Sequence, residues 1–393
     1  YTNSERTVFE LTLPSDSTAA GLSVFIKYVL NATFNEADVK NAIDSIIAQT
    51  NRERQNPKWE FDDKMLKSLY KREYEQLNVF GNLDKIQKID LPTAERFFKK
   101  YYVTNNAILI GTGSFNYSVL EKQYEDRFKP LIRAEFDPEF ITKITDFRSL
   151  VYNTQFIIED STATPEFQIC WQFPGTSSNR RSSYSAALLC TMLNDRNNFI
   201  QVKAAKMGCK KFIAEYESGN YSGILRVTLQ PDKQKLYDTY KFVIGALTSL
   251  EKTLVNESMI DAAKLQFKKG YENIKQTKEF PENVVNHWAY KDDAYYRNVA
   301  DSVMTVTKKA FATFVIEYMN LDPHVSGLLI NKADREQLQI DTMFTDLNDS
   351  VGNYVFRYLQ NVTDLEGAQN LTMQQNMLQW LLLNKEVEIK VNG

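Results

Sequence analysis

Two stretches far apart in the chain open alike: FNEADVKNAIDSIIAQT, Phe34 to Thr50, and VNESMIDAAKLQFKKG, Val255 to Gly270. In each, an apolar residue precedes Asn-Glu, and apolar side chains then return three or four positions apart, the spacing of one helical face. A second pair follows the same order. TAERFFKKYYVTNNAILIG and TKKAFATFVIEYMNLDPHVSGLLI share a Thr start, an aromatic spacing, a Tyr and a following apolar strand. Unlike elements recurring in one order predict a duplicated αβ domain. At 393 residues the chain is also too long for one ordinary core.

Within the first half, Thr7 to Leu13 and Ala107 to Gly111 read as strands, the latter buried. Helices are expected at Ala20–Leu30, from an N-cap at Asn35 with Asp38 as capping-box partner, at Phe61–Tyr70, from a start at Thr93, and at Ser118–Phe128. Val39, Ala42, Ile43, Ile46 and Ile47 are the expected buried face of the second helix. Residues 129–165 lack a clear period and hold Pro130, Pro138 and Pro165, which marks a boundary. Beyond it, strands are expected at Phe167–Phe173, Phe212–Tyr216, Leu225–Leu229 and His324–Ile330. Helices fall at Tyr184–Leu193, Phe199–Lys206, Lys235–Leu250, from Asn256 and at Thr307–Tyr318.

Lys and Arg are interspersed with Asp and Glu to a net charge of -3, which gives no basic surface for nucleic acid. The longest apolar run, Met377 to Leu383, is far too short to span a bilayer. Cys170, Cys190 and Cys209 lie in different elements without C-x-x-C spacing and read as free, buried thiols. The opening YTNSERTVFELTL lacks an initiating Met and EVEIKVNG closes like a strand cut short, so the chain reads as a fragment.

Taken together, YTNSERTVFELTL, LSVFIKYVLNATFNEADV, IQKIDLPTAERFFKKYYVTNNAILIGTGSFN and TVTKKAFATFVIEYM resemble the insulinase-type zinc metallopeptidases, the pitrilysin or M16 family, over roughly Tyr1 to Lys332. The resemblance implies an α+β fold of tandem M16-like (LuxS/MPP-like) αβ domains, each a mostly antiparallel sheet packed with helices. Residues 1–135 would be the first domain, truncated at its N-terminus, 136–335 the second, and 336–393 an extension. It further implies two such halves closing around a peptide. One half carries H-x-x-E-H and a downstream glutamate on zinc, with the Glu of the motif as general base; the other supplies an Arg and a Tyr to the substrate.

This chain departs from that pattern. It has no H-x-x-E-H, and its two histidines, His287 and His324, lie in separate elements and read as structural. The resemblance puts the third zinc-ligand position at Ala42 and a second acidic position at Gln49, so neither offers a carboxylate. Lys203 falls at the Arg position and Lys210 at the Tyr position, with Cys209 beside it; a lysine keeps the charge and loses the bidentate fork. LNDRNN replaces the glycine-rich loop of the non-catalytic processing-peptidase subunit. Lys203, Lys206, Lys210 and Lys211 form a basic cluster that reads as a solvated helix end or as a patch for acidic peptide, and the aromatic-rich Asp292 to Asn298 reads as half-buried core or as a chamber lining. No Ser/His/Asp or Cys/His constellation can be assembled.

The function expected on this resemblance is the non-catalytic half of an M16-type zinc peptidase, forming part of the peptide chamber. No cofactor is expected in this chain and zinc is expected in the catalytic half. Partners would be a peptide or unfolded protein and a catalytic M16 half, or a homo- or heterodimer mate, with no nucleic acid and no transmembrane segment. Two alternatives stand beside it: an active peptidase whose motif lies upstream of Tyr1, and a scaffold such as the core subunits of the respiratory bc1 complex. The tail from Tyr354 faintly resembles the start of an OmpA-like module, which suggests a bacterial periplasm or envelope.

Overall fold

The structure is a computed structural model that describes residues 2, 6–70, 80–127, 150, 153–161, 164–219, 222–277, 279–288, 293–321 and 323–340. The expected tail module lies outside the described residues. The contacts divide the chain into two compact units. The first comprises Tyr1–Trp59, Arg72–Thr145 and Gly270–Asn298; the second comprises Glu60–Lys71, Asp146–Lys269 and Val299–Gly393. No described helix is long and apolar enough to cross a membrane.

The first unit is helical in its described residues: α1 (Thr18–Leu30), α2 (Glu36–Glu53), α4 (Leu91–Tyr101) and α5 (Tyr117–Arg127), with α3 (Pro57–Leu69) starting at its border. Asn35 caps α2 as its sequence demands. Its side-chain oxygen accepts from the Asp38 N–H at 2.9 Å, and the Asp38 carboxylate accepts from the Asn35 N–H at 3.0 Å, a reciprocal box worth about 1 kcal/mol. α4 starts at Asp90 rather than Thr93. The Thr93 N–H donates to the Asp90 carboxylate at 2.9 Å, and the hydrogen bonds to Thr93 hold that carboxyl below its usual range. Phe98 of α4 stacks on Tyr102 at 4.7 Å and meets Phe34 edge-on at 5.1 Å, which joins α4 to the start of α2.

Three expectations fail in this unit. The face of α2 is not buried: Ile46 and Ala42 are exposed, Val39, Ile43 and Ile47 are half-buried, and only Thr50 is fully covered. Thr7–Leu13 forms no strand beyond an isolated bridge from Thr2 to Thr7. Ala107–Gly111 is extended at Ala107 (φ -130°, ψ 148°) but joins no ladder, and Ile108 and Leu109 are exposed. The reason is common to both segments. Alternating apolar residues make a strand only where a neighbour takes their N–H and C=O groups, and none does so among the described residues.

The second unit holds a five-stranded sheet in the order β1-β5-β2-β4-β3. Its strands are β1 (Thr154–Glu159), β2 (Glu166–Pro174), β3 (Lys211–Ser218), β4 (Ser222–Gln230) and β5 (His324–Ile330). Only β1 with β5 is parallel; the other pairs are antiparallel. This is the mostly antiparallel α+β arrangement that the family resemblance implies. β1, however, falls inside the stretch read as a boundary.

Both faces of the sheet are covered, so β2 is buried at every position from Phe167 to Phe173, Gln168 and Gln172 included. On one face lie α6 (Thr176–Leu193, kinked at Asn179), α7 (Phe199–Lys206), α8 (Leu236–Leu247) and α12 (Lys308–Val315). Between α8 and α12 the chain forms α9 (Glu257–Ile274), α10 (Glu279–Trp288), which belongs to the first unit, and α11 (Val299–Met304). Phe167 stacks on Tyr240 of α8 at 4.5 Å, the Tyr240 hydroxyl donates to Ser326 Oγ at 2.7 Å, and Phe173 meets Phe314 of α12 at 5.7 Å. The other face receives α3, whose Phe61, Met65 and Leu69 form one stripe against Phe156, Ile158, Cys170, Val325 and Leu329. Gly327 makes this approach possible: a Cβ there would come within 2.6 Å of the Phe156 ring and 2.7 Å of the Phe61 ring. A helix from the first half of the sequence thus completes the core of the second unit.

Candidate functional site

The most informative surface of the second unit is its β3 edge, and the chain reaches it through two asparagines. α6 ends at Leu193, and Asn194 follows as its C-cap. The Asn194 carboxamide donates to the Ala214 carbonyl at 2.7 Å and accepts from the Ala214 N–H at 2.8 Å. It therefore satisfies both outward backbone groups of one β3 residue, as a neighbouring strand would. Asn198 caps α7 by accepting from the Ile200 N–H at 2.9 Å and donates to the Met192 carbonyl at 2.9 Å. The helix closes at Gly208 (φ +90°), where a side chain would be strained, and the Lys210 N–H then reaches the Gln230 carbonyl at 2.8 Å to begin β3.

On the face of β3 and β4 beyond α3, a cavity of about 190 Å³ is lined by Glu215, Tyr216, Glu217, Ile224 and Arg226. Arg226 stands opposite Glu215 on the neighbouring strand and opposite Cys170 on the other side. Burial works against its charge, but Cys170, Glu217 and Asp62 together carry the guanidinium above its ordinary value. It is a fixed cation. Glu215 and Glu217 are exposed.

The residues singled out from the sequence are not gathered into one site. Lys203 lies on α7 with its ammonium 4.3 Å from the centre of the Phe242 ring, a cation–π contact worth about 0.5–1 kcal/mol at an exposed position. Lys210 is exposed at the mouth of β3, and among the described residues no hydrogen bond, ion pair or ring contact joins it to Lys203. Ala42 and Gln49 lie exposed on α2. Asn194 was not singled out, although an Asn directly after a buried helical run was the available signal.

Among the described residues no three His, Cys, Asp or Glu side chains gather as metal ligands. A methyl and a carboxamide on α2 do not fit zinc, which takes three protein ligands in catalytic sites. His324 is buried against Trp171, ring centres 5.3 Å apart, and burial pushes it down to about 4, so it is neutral at pH 7. His287 falls in α10, where its side chain lies outside the described residues. Cys170 and Cys190 are buried as expected and form no disulfide, and burial pushes the Cys190 thiol far up; Cys209 is only half-buried, its Sγ 3.0 Å from the Lys211 carbonyl.

One family model matches part of the chain, and several solved structures share its fold. Residues 88–267 match the family model described as the peptidase M16 inactive domain. No curated protein matches in sequence. Among solved structures, the chain is similar to an M16-like peptidase from Alicyclobacillus acidocaldarius (13% identity, TM-score 0.69, 80% of this chain and 75% of that one). It is also similar to the first half of the periplasmic protease PqqL from Escherichia coli (13%, 0.68, 86% and 76%). The peptidase M16 inactive domain from Pseudomonas fluorescens is a third (14%, 0.63, 81% and 76%).

Proposed function

We propose that this chain, M16-type and of the inactive-domain kind over residues 88–267, serves as the non-catalytic half of a zinc peptidase assembly. In this reading it encloses a peptide or unfolded segment together with a catalytic half that holds the zinc. The tandem is read as domains over 1–135 and 136–335 with an extension from 336, and Lys203 and Lys210 face substrate as isolated charges. The observation that carries the reading is the donor set of α2, a methyl at Ala42 and a carboxamide at Gln49, where the family resemblance calls for carboxylates. Two ligands at most would remain from any upstream motif, one short of a catalytic site.

A strand edge supports peptide uptake. β3 ends the sheet among the described strands, and an extended peptide can add to such an edge through main-chain hydrogen bonds. The test is zinc content and peptide cleavage by the purified chain. No stoichiometric zinc and no zinc-dependent cleavage are expected, whereas saturable binding of unfolded peptides is. Tightly held zinc at one per chain, with cleavage, would overturn the proposal.

A further inference from the structure

The Asn194–Ala214 pair shows where an added strand would have to sit. In an antiparallel ladder every second residue turns its N–H and C=O away from its partner. Ala214 does so, and the groups it turns outward are held by a side chain rather than a strand. A strand docking on β3 must therefore take this rung from Asn194. The carboxamide offers the same one donor and one acceptor as a peptide group, so the exchange leaves Ala214 satisfied before and after. Only the ordering of the incoming chain and its side-chain contacts then decide which state wins.

Those contacts are readable from the strand. Side chains alternate across a sheet, so Lys211, Ile213, Glu215 and Glu217 share one face of β3, with Ala214 on the other. Lys211 stands at one end, Ile213 is partly exposed in the middle, and both glutamates are exposed at the far end beside the cavity. Arg226 lies one strand further in, opposite Glu215. Strands are about 4.8 Å apart, so an added strand stands one spacing from the carboxylates and two from the guanidinium. The glutamates dominate what it meets.

We propose that the β3 edge takes up an extended segment with basic side chains opposite Glu215 and Glu217, and that the Asn194 carboxamide is the latch holding the Ala214 rung until that segment displaces it. This rests on the peptide-uptake reading above and narrows it to a substrate class. The segment reads basic, any, basic, any, apolar along the strand, with an acidic residue opposite Lys211.

Fluorescence anisotropy tests this on the full chain, with two labelled unstructured peptides of equal length carrying Lys or Glu at alternate positions. At low salt the Lys peptide binds about fivefold more tightly, and the preference shrinks as salt rises. The double variant E215Q/E217Q, changed only at exposed side chains, keeps the fold by circular dichroism and loses the preference. N194A tightens both peptides by roughly three- to tenfold, because a competing pair of hydrogen bonds is gone. Peptides that bind without charge preference, a preference that survives E215Q/E217Q, or weaker binding by N194A would overturn this inference and leave the chamber reading standing. No binding of any peptide would remove both. A concentration-dependent dimer abolished by E215Q/E217Q would assign the edge to a second copy and overturn the peptide as its occupant.

Discussion

In the second unit Trp171, Phe61, Phe167 and Phe311 are wholly buried, while in the first Phe9, Phe97 and Tyr117 remain 47% to 70% exposed. The sequence patterns that placed them are equally regular. What differs is the partner. Phe61 has a sheet with a glycine at the point of contact. Phe97 shares its helix with Tyr101, 4.5 Å away, and stays largely in water. An apolar stripe states a demand, and only another element can meet it.

The largest way to break this contrast is Phe61→Ala. Emptying a buried ring between α3 and the sheet costs about 3–5 kcal/mol, read in a urea titration followed by hydrogen exchange of the sheet amides. A loss below about 1 kcal/mol would show that α3 is not part of that core. Acid comes next. His324 has a folded value of about 4 against 6.5 for its ordinary value. Above pH 6.5 it is neutral folded or unfolded and costs nothing. Between pH 6.5 and 4 the unfolded chain binds a proton that the folded chain refuses, so the second unit loses up to about 3 kcal/mol as pH falls through that window. His324→Gln flattens the profile, and an unchanged profile would place the acid sensitivity elsewhere.

Gly327→Ala sharpens the same point from the opposite side. A methyl driven against Phe61 and Phe156 costs about 1–3 kcal/mol by overpacking, and Phe61→Leu in the same chain should recover part of it. In the first unit the effects shrink. Asn35→Ala removes one arm of the capping box and costs α2 about 1 kcal/mol, seen as faster exchange at the Asp38 amide. Phe97→Ala stays within about 0.5 kcal/mol; a large effect would mean its exposed face is covered in solution.

The same contrast explains what was legible in the sequence. α7 and β5 fall at the residues the sequence indicates, because Asn198 and Gly208 bracket one, while Pro323 precedes the other and Leu328-Leu329-Ile330 closes it. The capping box at Asn35 is legible in the sequence because it is local. β1 does not stand out in the sequence, although Asn153 and Asp160-Ser161 bound its TQFIIE, because the stretch around it has no clear period and the strand is held by pairing with β5 far downstream. The two expected strands of the first half failed for the converse reason: their pattern was local and their partners were not there to be read. The reading of Ala42 and Gln49 as ligand positions rests on the family resemblance alone, since no local pattern marks them. Asn194 shows no periodic signal at all, because its role depends on a backbone twenty residues away.

The parallel pairing of β1 with β5 also sets a timetable. Thr154 meets Val325, so β1 leaves the ribosome well over a hundred residues before its neighbour exists, and α3 waits longer still for Gly327. At translation speeds of roughly 5–20 residues per second, these segments stand incomplete for on the order of ten seconds or more in the growing chain. During that interval their apolar faces are the natural targets of a chaperone, and a pause in synthesis just before residue 324 would lengthen the exposure of the second unit more than a pause anywhere in the first.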